Sequence, residues 1–226
     1  MCHAGLVLLV LWDIDGTLVD SARHGKYAFE EAFEAVVGRP PERVEFAGRT
    51  DHQIALAMLE GERERLPRLL EQLAASLDAR KEAMRREGHA YPGVPETLAA
   101  LHERDGVVQS LLTGNIEANA ALKVGAFGLE RWLDFEVGAY GSDPHEERSE
   151  LVAVARERTA AKYGEPASAV LVGDTPLDVR AAQDAGARAV AVATGFSDLD
   201  ALRASQPDVL LPDLRDTAAA VEAIVG

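Results

Sequence analysis

LWDIDGTLVDS, residues 11–21, ends an apolar run in two aspartates one residue apart, followed at once by Gly16 and Thr17. The run Leu6–Trp12 is far too short to cross a bilayer and reads as a strand buried on both faces. Closing such a strand with Asp13 and Asp15 sets two like charges side by side. At low dielectric that arrangement is unfavourable unless a positive charge lies between them.

The same punctuation recurs down the chain. Val107–Leu112 is an apolar run ending in Thr113-Gly114-Asn115, Ala169–Val172 ends in Gly173-Asp174, and Ala189–Ala193 ends in Thr194-Gly195. Val209–Leu211 is a short further strand. Helical segments are expected between them, at about Glu117–Val124, Glu147–Tyr163, Leu177–Ala185 and Thr217–Val225. Strands alternating with helices predict an α/β fold, a doubly wound parallel sheet with right-handed crossovers. In such sheets the ligand crevice lies at the carboxyl ends of the strands, where these polar clusters sit.

Residues 20–90 read differently. Apolar positions recur at helical spacing over Ala22–Val37, and Gly38-Arg39-Pro40-Pro41 stops that helix. Thr50 or Asp51 would cap a short helix, Gln53–Leu59, and Pro67 opens another at its first turn. The expectation is an α-helical unit of residues 20–90 inserted after the first strand, with 1–19 and 91–226 forming the α/β core.

Composition narrows the function classes. The 226 residues are 47% hydrophobic and 27% charged, as in a globular protein. A net charge of −15 disfavours nucleic acid as a partner, because binding its backbone needs a basic face. With one cysteine, Cys2, no internal disulfide and no cysteine-based zinc site is expected. The first residues lack the basic flank of a secretory signal, so a cytoplasmic protein without membrane association is expected, as monomer or homodimer.

In an acidic protein the strand-end carboxylates call for a hard divalent cation. Mg²⁺ takes oxygen ligands and binds through one or two carboxylates plus substrate phosphate, a role that suits Asp13 and Asp174. One carboxylate, neutralised and aimed by the metal, is then able to attack phosphorus. The other, two residues on, protonates the leaving oxygen and later activates water. Gly16 permits a sharp turn beneath the phosphate. Thr113 offers a hydroxyl, and backbone N–H groups around Gly114 and Asn115 suit phosphoryl oxygens.

DIDGTLVD (13–20), LLTGN (111–115) and VGDTPLD (172–178) resemble the first, second and fourth motifs of the haloacid dehalogenase superfamily, in matching order along nearly the whole chain. The helical block resembles the α-helical cap of its phosphoglycolate-phosphatase-like and β-phosphoglucomutase-like branches. The resemblance implies a Rossmann-like core and a Mg²⁺-dependent phosphatase acting on a small anionic phosphorylated metabolite. Asp13 would be the nucleophile that forms an aspartyl-phosphate, and Asp15 the general acid and base. Mg²⁺ would be held by Asp13, the backbone carbonyl of Asp15 and Asp174, with Asp178 supporting from beside them. Thr113 and Asn115 would hold the phosphoryl group. The superfamily's dehalogenases lack an aspartate two residues after the nucleophile, so Asp15 favours phosphoryl transfer.

The third motif departs from the family pattern. Its usual lysine is missing from YGSDPHEERSELVAVA (140–155), and Arg148 is the candidate replacement. Lys123 and Lys162 fall in amphipathic helical patterns and are expected on solvated faces. In FAGRTDHQIA (46–55), Gly48-Arg49-Thr50 resembles the cap segment that faces the active site. Arg49 either supplies charge to an anionic substrate or lies exposed at a capped helix start. His24 and Lys26 are weaker candidates, and His145 is expected in a loop. A sugar phosphomutase and a non-catalytic phosphate-binding module are the alternatives to a phosphatase.

Overall fold

The computed structural model describes residues 7–46, 48–143, 148–195 and 197–226. Five strands form one parallel sheet: β1 (Val7–Trp12), β4 (Val107–Leu111), β5 (Pro166–Gly173), β6 (Arg188–Val192) and β7 (Val209–Leu211), in the order β4-β1-β5-β6-β7. From β4 the chain crosses over β1 to reach β5. The connection therefore changes side at β1, and the crevice opens above its carboxyl end.

Alternation along the central strands distributes their side chains to two cores. Val10 and Trp12 join Leu111, Val170 and Val172 beneath α5 (Val94–His102), α6 (Glu117–Ala126) and α10 (Thr217–Val225). Leu9 and Leu11 join Ala169 and Leu171 on the opposite face, beneath α7 (Arg148–Tyr163), α8 (Pro176–Asp184) and α9 (Leu199–Ala204). Trp12 is fully buried, and its indole N–H donates to Gln109 Oε1 at 3.2 Å, so the ring carries no unpaired donor.

Four helices, α1 (His24–Val37), α2 (Asp51–Met58), α3 (Leu66–Ala79) and α4 (Lys81–Glu87), lie between β1 and β4 in the chain and share a third apolar cluster with Ile116 and Ala126 of the core side. A two-residue antiparallel ladder joins their entry and exit: β2 (Val19–Asp20) pairs with β3 (His89–Ala90). Neither that ladder nor α9 is apparent in the sequence pattern. Two residues carry no periodicity, and α9 is a six-residue helix capped by Asp198 accepting from Ala201 N. The helix expected from Ala22 begins at His24, because Ala22 and Arg23 adopt left-handed backbone angles, φ 47° and 67°. The helix expected from Glu147 is described from Arg148, and His145 lies outside the described residues. Among the described residues no helix is long and apolar enough to cross a membrane.

Candidate active site

β1, β4 and β5 deliver Asp13, Thr113 and Asp174 to one edge of the sheet, and the turn into α8 adds Asp178. Asp13, Asp174 and Asp178 are all buried, and each offers a carboxylate oxygen within 4.8 Å of the others. Local hydrogen bonding explains part of this placement. Asp178 Oδ2 accepts from Thr175 Oγ1 at 2.6 Å and Thr175 N at 3.1 Å, a capping box that fixes the start of α8. Thr17 Oγ1 donates to Asp174 Oδ1 at 3.0 Å.

Close backbone approach completes the arrangement. Gly16 has φ +88°, and a Cβ there would fall within the Asp174 carboxylate. A Cβ at Gly195 would meet the same carboxylate, and Thr194 Oγ1 donates to Gly16 O at 2.6 Å. The loop after β6 therefore braces the site.

Arg148, the first residue of α7, faces this cluster with only 11% of its side chain exposed. Its Nη2 lies 3.0 Å from Asp13 Oδ1 and 2.5 Å from Asp178 Oδ1. Asp178 Oδ1 and Arg148 Nη2 are ion-paired without the alignment of a hydrogen bond. Burial pushes the Asp13 carboxyl up to about 6, opposed by Arg148 and reinforced by the charges of Asp178 and Asp15. Arg148 stays charged, because its acidic neighbours outweigh the cost of burying it. Three buried carboxylates against one guanidinium leave a local excess of negative charge. An all-oxygen donor set, with one carboxylate oxygen lacking a hydrogen-bond donor among the described residues, fits a hard divalent cation such as Mg²⁺.

Asp15 belongs to a separate network on the other side of the crevice. Its Oδ2 accepts from Lys123 Nζ at 2.5 Å and from Asn115 Nδ2 at 2.9 Å, and Ser21 Oγ donates to Oδ1 at 3.3 Å. Burial alone would raise the Asp15 carboxyl, but the Lys123 charge and these hydrogen bonds hold it below the usual carboxylate range. Lys123 corrects an expectation: it is buried, 4% exposed, and not on a solvated face. Helical spacing contained the signal, since Lys123 lies three residues from buried Ala120 and four from buried Asn119, on the inward side of α6. Its charge made the solvated reading the simpler one.

The segment 113–116 shows a second departure. Thr113 is fully buried, and its Oγ1 accepts from Asn115 Nδ2 at 2.9 Å and Asn115 N at 3.3 Å. Helix α6 starts at Glu117, as its sequence pattern predicts, but the Ile116 N–H just before it is taken by Asp51 Oδ2 at 2.9 Å. Gly114 lies under α2: its carbonyl accepts from Asp51 N at 2.7 Å, and a Cβ would collide with the Arg49 carbonyl. Thr50, not Asp51, caps α2, in a capping box with Gln53. Asp51 turns inward instead. Burial raises its carboxyl to about 6, against Lys123 and the Ile116 N–H.

Above the carboxylates is a cavity of about 310 Å³ between the sheet edge and the helices. Asp13, Asp15, Asn115 and Lys123 form its floor, and Phe29 and Ile54 are part of its apolar wall. Arg49 is exposed and lines this cavity, as do Arg23 and Lys26, which also pairs with Glu30 at 3.5 Å. His24 does not line it: its Nε2 lies 3.1 Å from Glu87 Oε2 and its Nδ1 3.3 Å from Arg80 Nη1, within the helical layer. Lys162 bridges Asp134 and Glu136 on the surface.

Known proteins share both sequence and fold with this chain. A family model described as haloacid dehalogenase-like hydrolase matches residues 7–186. Phosphoglycolate phosphatase 1 of Pseudomonas aeruginosa is 31% identical over 216 residues, 92% of this chain and 77% of that protein. Phosphoglycolate phosphatase of Synechococcus elongatus is 31% identical over 220 residues, 94% of this chain and 96% of that one. The crystal structure of CbbY from Rhodobacter sphaeroides in complex with phosphate superposes with a TM-score of 0.73 at 18% identity, covering 96% of this chain and all of that one, a likeness of fold. On the sheet order, the strand-end carboxylates and the family match across most of its length, the chain belongs to the haloacid dehalogenase-like hydrolases and is an enzyme of that family.

Proposed function

We propose that the protein is a Mg²⁺-dependent phosphomonoester hydrolase acting on a small phosphorylated metabolite through an aspartyl-phosphate on Asp13. The observation that carries this reading is the pairing of two carboxylates in unlike surroundings. Asp13 lies with Asp174, Asp178 and Arg148, whereas Asp15 lies with Lys123, Asn115 and Ser21. Neighbouring carboxylates in different environments suit division into nucleophile and proton carrier. The relatives named phosphoglycolate phosphatase support the same chemistry and favour a short anionic substrate.

Asp13 and Asp174 would hold Mg²⁺ with the backbone carbonyl of Asp15, and Asp178 beside them. When bound, the ion supplies positive charge that neutralises the acidic cluster and polarises the phosphoryl group. A carboxylate oxygen of Asp13 attacks phosphorus, the P–O bond to the alcohol breaks, and the leaving oxygen takes a proton from Asp15. Asp15, again a carboxylate, then removes a proton from water as the water oxygen attacks phosphorus. The bond to Asp13 breaks, inorganic phosphate leaves and Asp15 keeps the proton for the next cycle. An anionic phosphoryl group beside Asp15 favours its protonated form, as any like charge does.

Thr113, Gly114 and Asn115 bind the phosphoryl oxygens in this reading, and Arg148 holds Asp13 in line. The helices of residues 20–90 act as a cap over the core formed by 1–19 and 91–226, and Arg49 meets the anionic end of the substrate. The protein works in the cytoplasm.

A panel of phosphate monoesters assayed with Mg²⁺ tests the proposal. The wild-type protein is expected to release inorganic phosphate and to show phosphoryl transfer to the Asp13 peptide by mass spectrometry. Asp13→Asn is expected to lose at least about 10³-fold in turnover. Near-normal hydrolysis by that variant, or an isomerised sugar phosphate in place of free phosphate, overturns it.

A further inference from the structure

Lys123 is a buried cation at the crevice floor to which the phosphoryl-transfer scheme gives no role. Burying an ammonium is costly unless it is paired and hydrogen-bonded, so its presence here needs a reason. The glycine at position 25 leaves room for it: a Cβ there would lie 3.2 Å from Lys123 Nζ. The ammonium makes two directed bonds, to Asp15 Oδ2 at 2.5 Å and to Asn115 Oδ1 at 2.7 Å.

The second bond settles the orientation of the Asn115 amide. With its carbonyl oxygen facing Lys123, its NH₂ faces Asp15 Oδ2 at 2.9 Å and Thr113 Oγ1 at 2.9 Å. Lys123, Asp15 and Asn115 therefore close a triangle in which each member touches the other two. Asp15 Oδ2 has two short donors, whereas among the described residues Oδ1 has only the Ser21 hydroxyl at 3.3 Å. One carboxylate oxygen is anchored and the other is left for exchange.

Resting on the phosphatase reading above, we propose that Lys123 is a positioning residue: by tying Asp15 Oδ2 to Asn115 Oδ1 it presents Asp15 Oδ1 to the ester oxygen of the substrate. Lys123 touches neither phosphorus nor the leaving group. Its effect passes through the aim of Asp15, so it depends on how much help the leaving oxygen needs from a proton. An alkoxide leaves poorly without one, whereas a nitrophenolate needs little assistance. A residue that merely stabilises the fold affects both alike.

Two probes separate these cases: p-nitrophenyl phosphate, and the alkyl monoester that the wild-type protein hydrolyses fastest. In Lys123→Met, kcat/KM, which covers only the steps through departure of the leaving group, is expected to fall about 10²-fold on the alkyl ester, at the low end of general acid–base contributions, and less than about tenfold on p-nitrophenyl phosphate; kcat, which also includes hydrolysis of the shared aspartyl-phosphate, is expected to fall on both. Lys123→Gln keeps a donor and is expected to recover part of the alkyl-ester rate. It allows the same two-substrate comparison, with a smaller but still unequal loss, should the methionine variant fail to fold. Equal losses in kcat/KM on the two probes, or no loss on either, overturn the proposal. If Asp13→Asn is inactive on both while Lys123→Met loses kcat/KM equally on both, only the role of Lys123 is wrong. If the wild-type protein hydrolyses no monoester, or Asp13→Asn retains turnover, the phosphatase reading fails and takes this proposal with it.

Discussion

Arg148 Nη2 reaches Asp13 and Asp178 at once, so a single nitrogen of the guanidinium neutralises both carboxylates. Arg148→Met leaves two buried carboxylates without their cation, and turnover is expected to fall at least about 10²-fold. Arg148→Lys restores charge without the guanidinium and is expected to fall between the two; steady-state rates on one substrate rank all three. Gly16→Ala is a second residue-scale prediction. It combines an unfavourable backbone angle with a collision against the Asp174 carboxylate. Urea unfolding should show a loss on the order of 1–3 kcal/mol. The strand-end residues were legible because a carboxylate that ends an apolar run breaks the pattern conspicuously. Lys123 was not, because a lysine on an amphipathic helix conforms to the expected pattern and only its tertiary partners give it a place. Asp51 was half-legible. The sequence marks a helix start, but which of two adjacent polar residues turns outward depends on what lies beneath.

At the scale of elements, α2 is held to the segment between β4 and α6 and to the loop before α7. Asp51 N donates to Gly114 O, Asp51 Oδ2 accepts from Ile116 N, and His52 Nδ1 donates to Gly141 O at 2.8 Å. The Asp51 carboxyl faces Lys123 and, more distantly, Asp15, and burial raises it to about 6 from an ordinary 3.8. A carboxyl raised by folding binds more protons in the native state than in the unfolded chain. Its contribution to stability is therefore fully present below about pH 4, declines as pH rises through 6, and is flat above. The two-unit difference corresponds to about 2–3 kcal/mol. Asp51→Asn keeps an acceptor for Ile116 N without a charge. Its thermal midpoint is expected to exceed that of the wild-type protein at pH 7.5 and to converge with it near pH 4; a gap independent of pH refutes this account. The parallel strands and their helices were legible from alternating apolar runs. The β2–β3 ladder was not, because its pairing joins residues about seventy apart in the chain and is invisible to any local window.

For the whole molecule, a net charge of −15 and an acidic cluster at the sheet edge mean that Mg²⁺ bound as proposed would add stability as well as serve catalysis. A ligand that binds only the native state at a hundred times its Kd adds about 2.7 kcal/mol. For a chain of 226 residues that corresponds to a rise in Tm of about 5–10 °C. Differential scanning calorimetry with and without Mg²⁺ is expected to show such a rise in the wild-type protein and little or none in Asp174→Asn. An equal rise in both moves the metal elsewhere.

Strand β1 leads directly into Asp13, and its hydrogen-bonded neighbours are β4 and β5, with Trp12 in register with Leu111 and Val172. During synthesis the first of these strands to emerge waits for its second partner through about 160 further residues. At ordinary rates of translation that is roughly 10–30 s. The nascent chain thus holds its most apolar strand unpaired while the four helices of residues 24–87 are free to form locally. Since Asp13, Thr113 and Asp174 come together only when β5 joins the sheet, a ribosome that stops short of residue 174 releases a chain in which the strand-end carboxylates never meet.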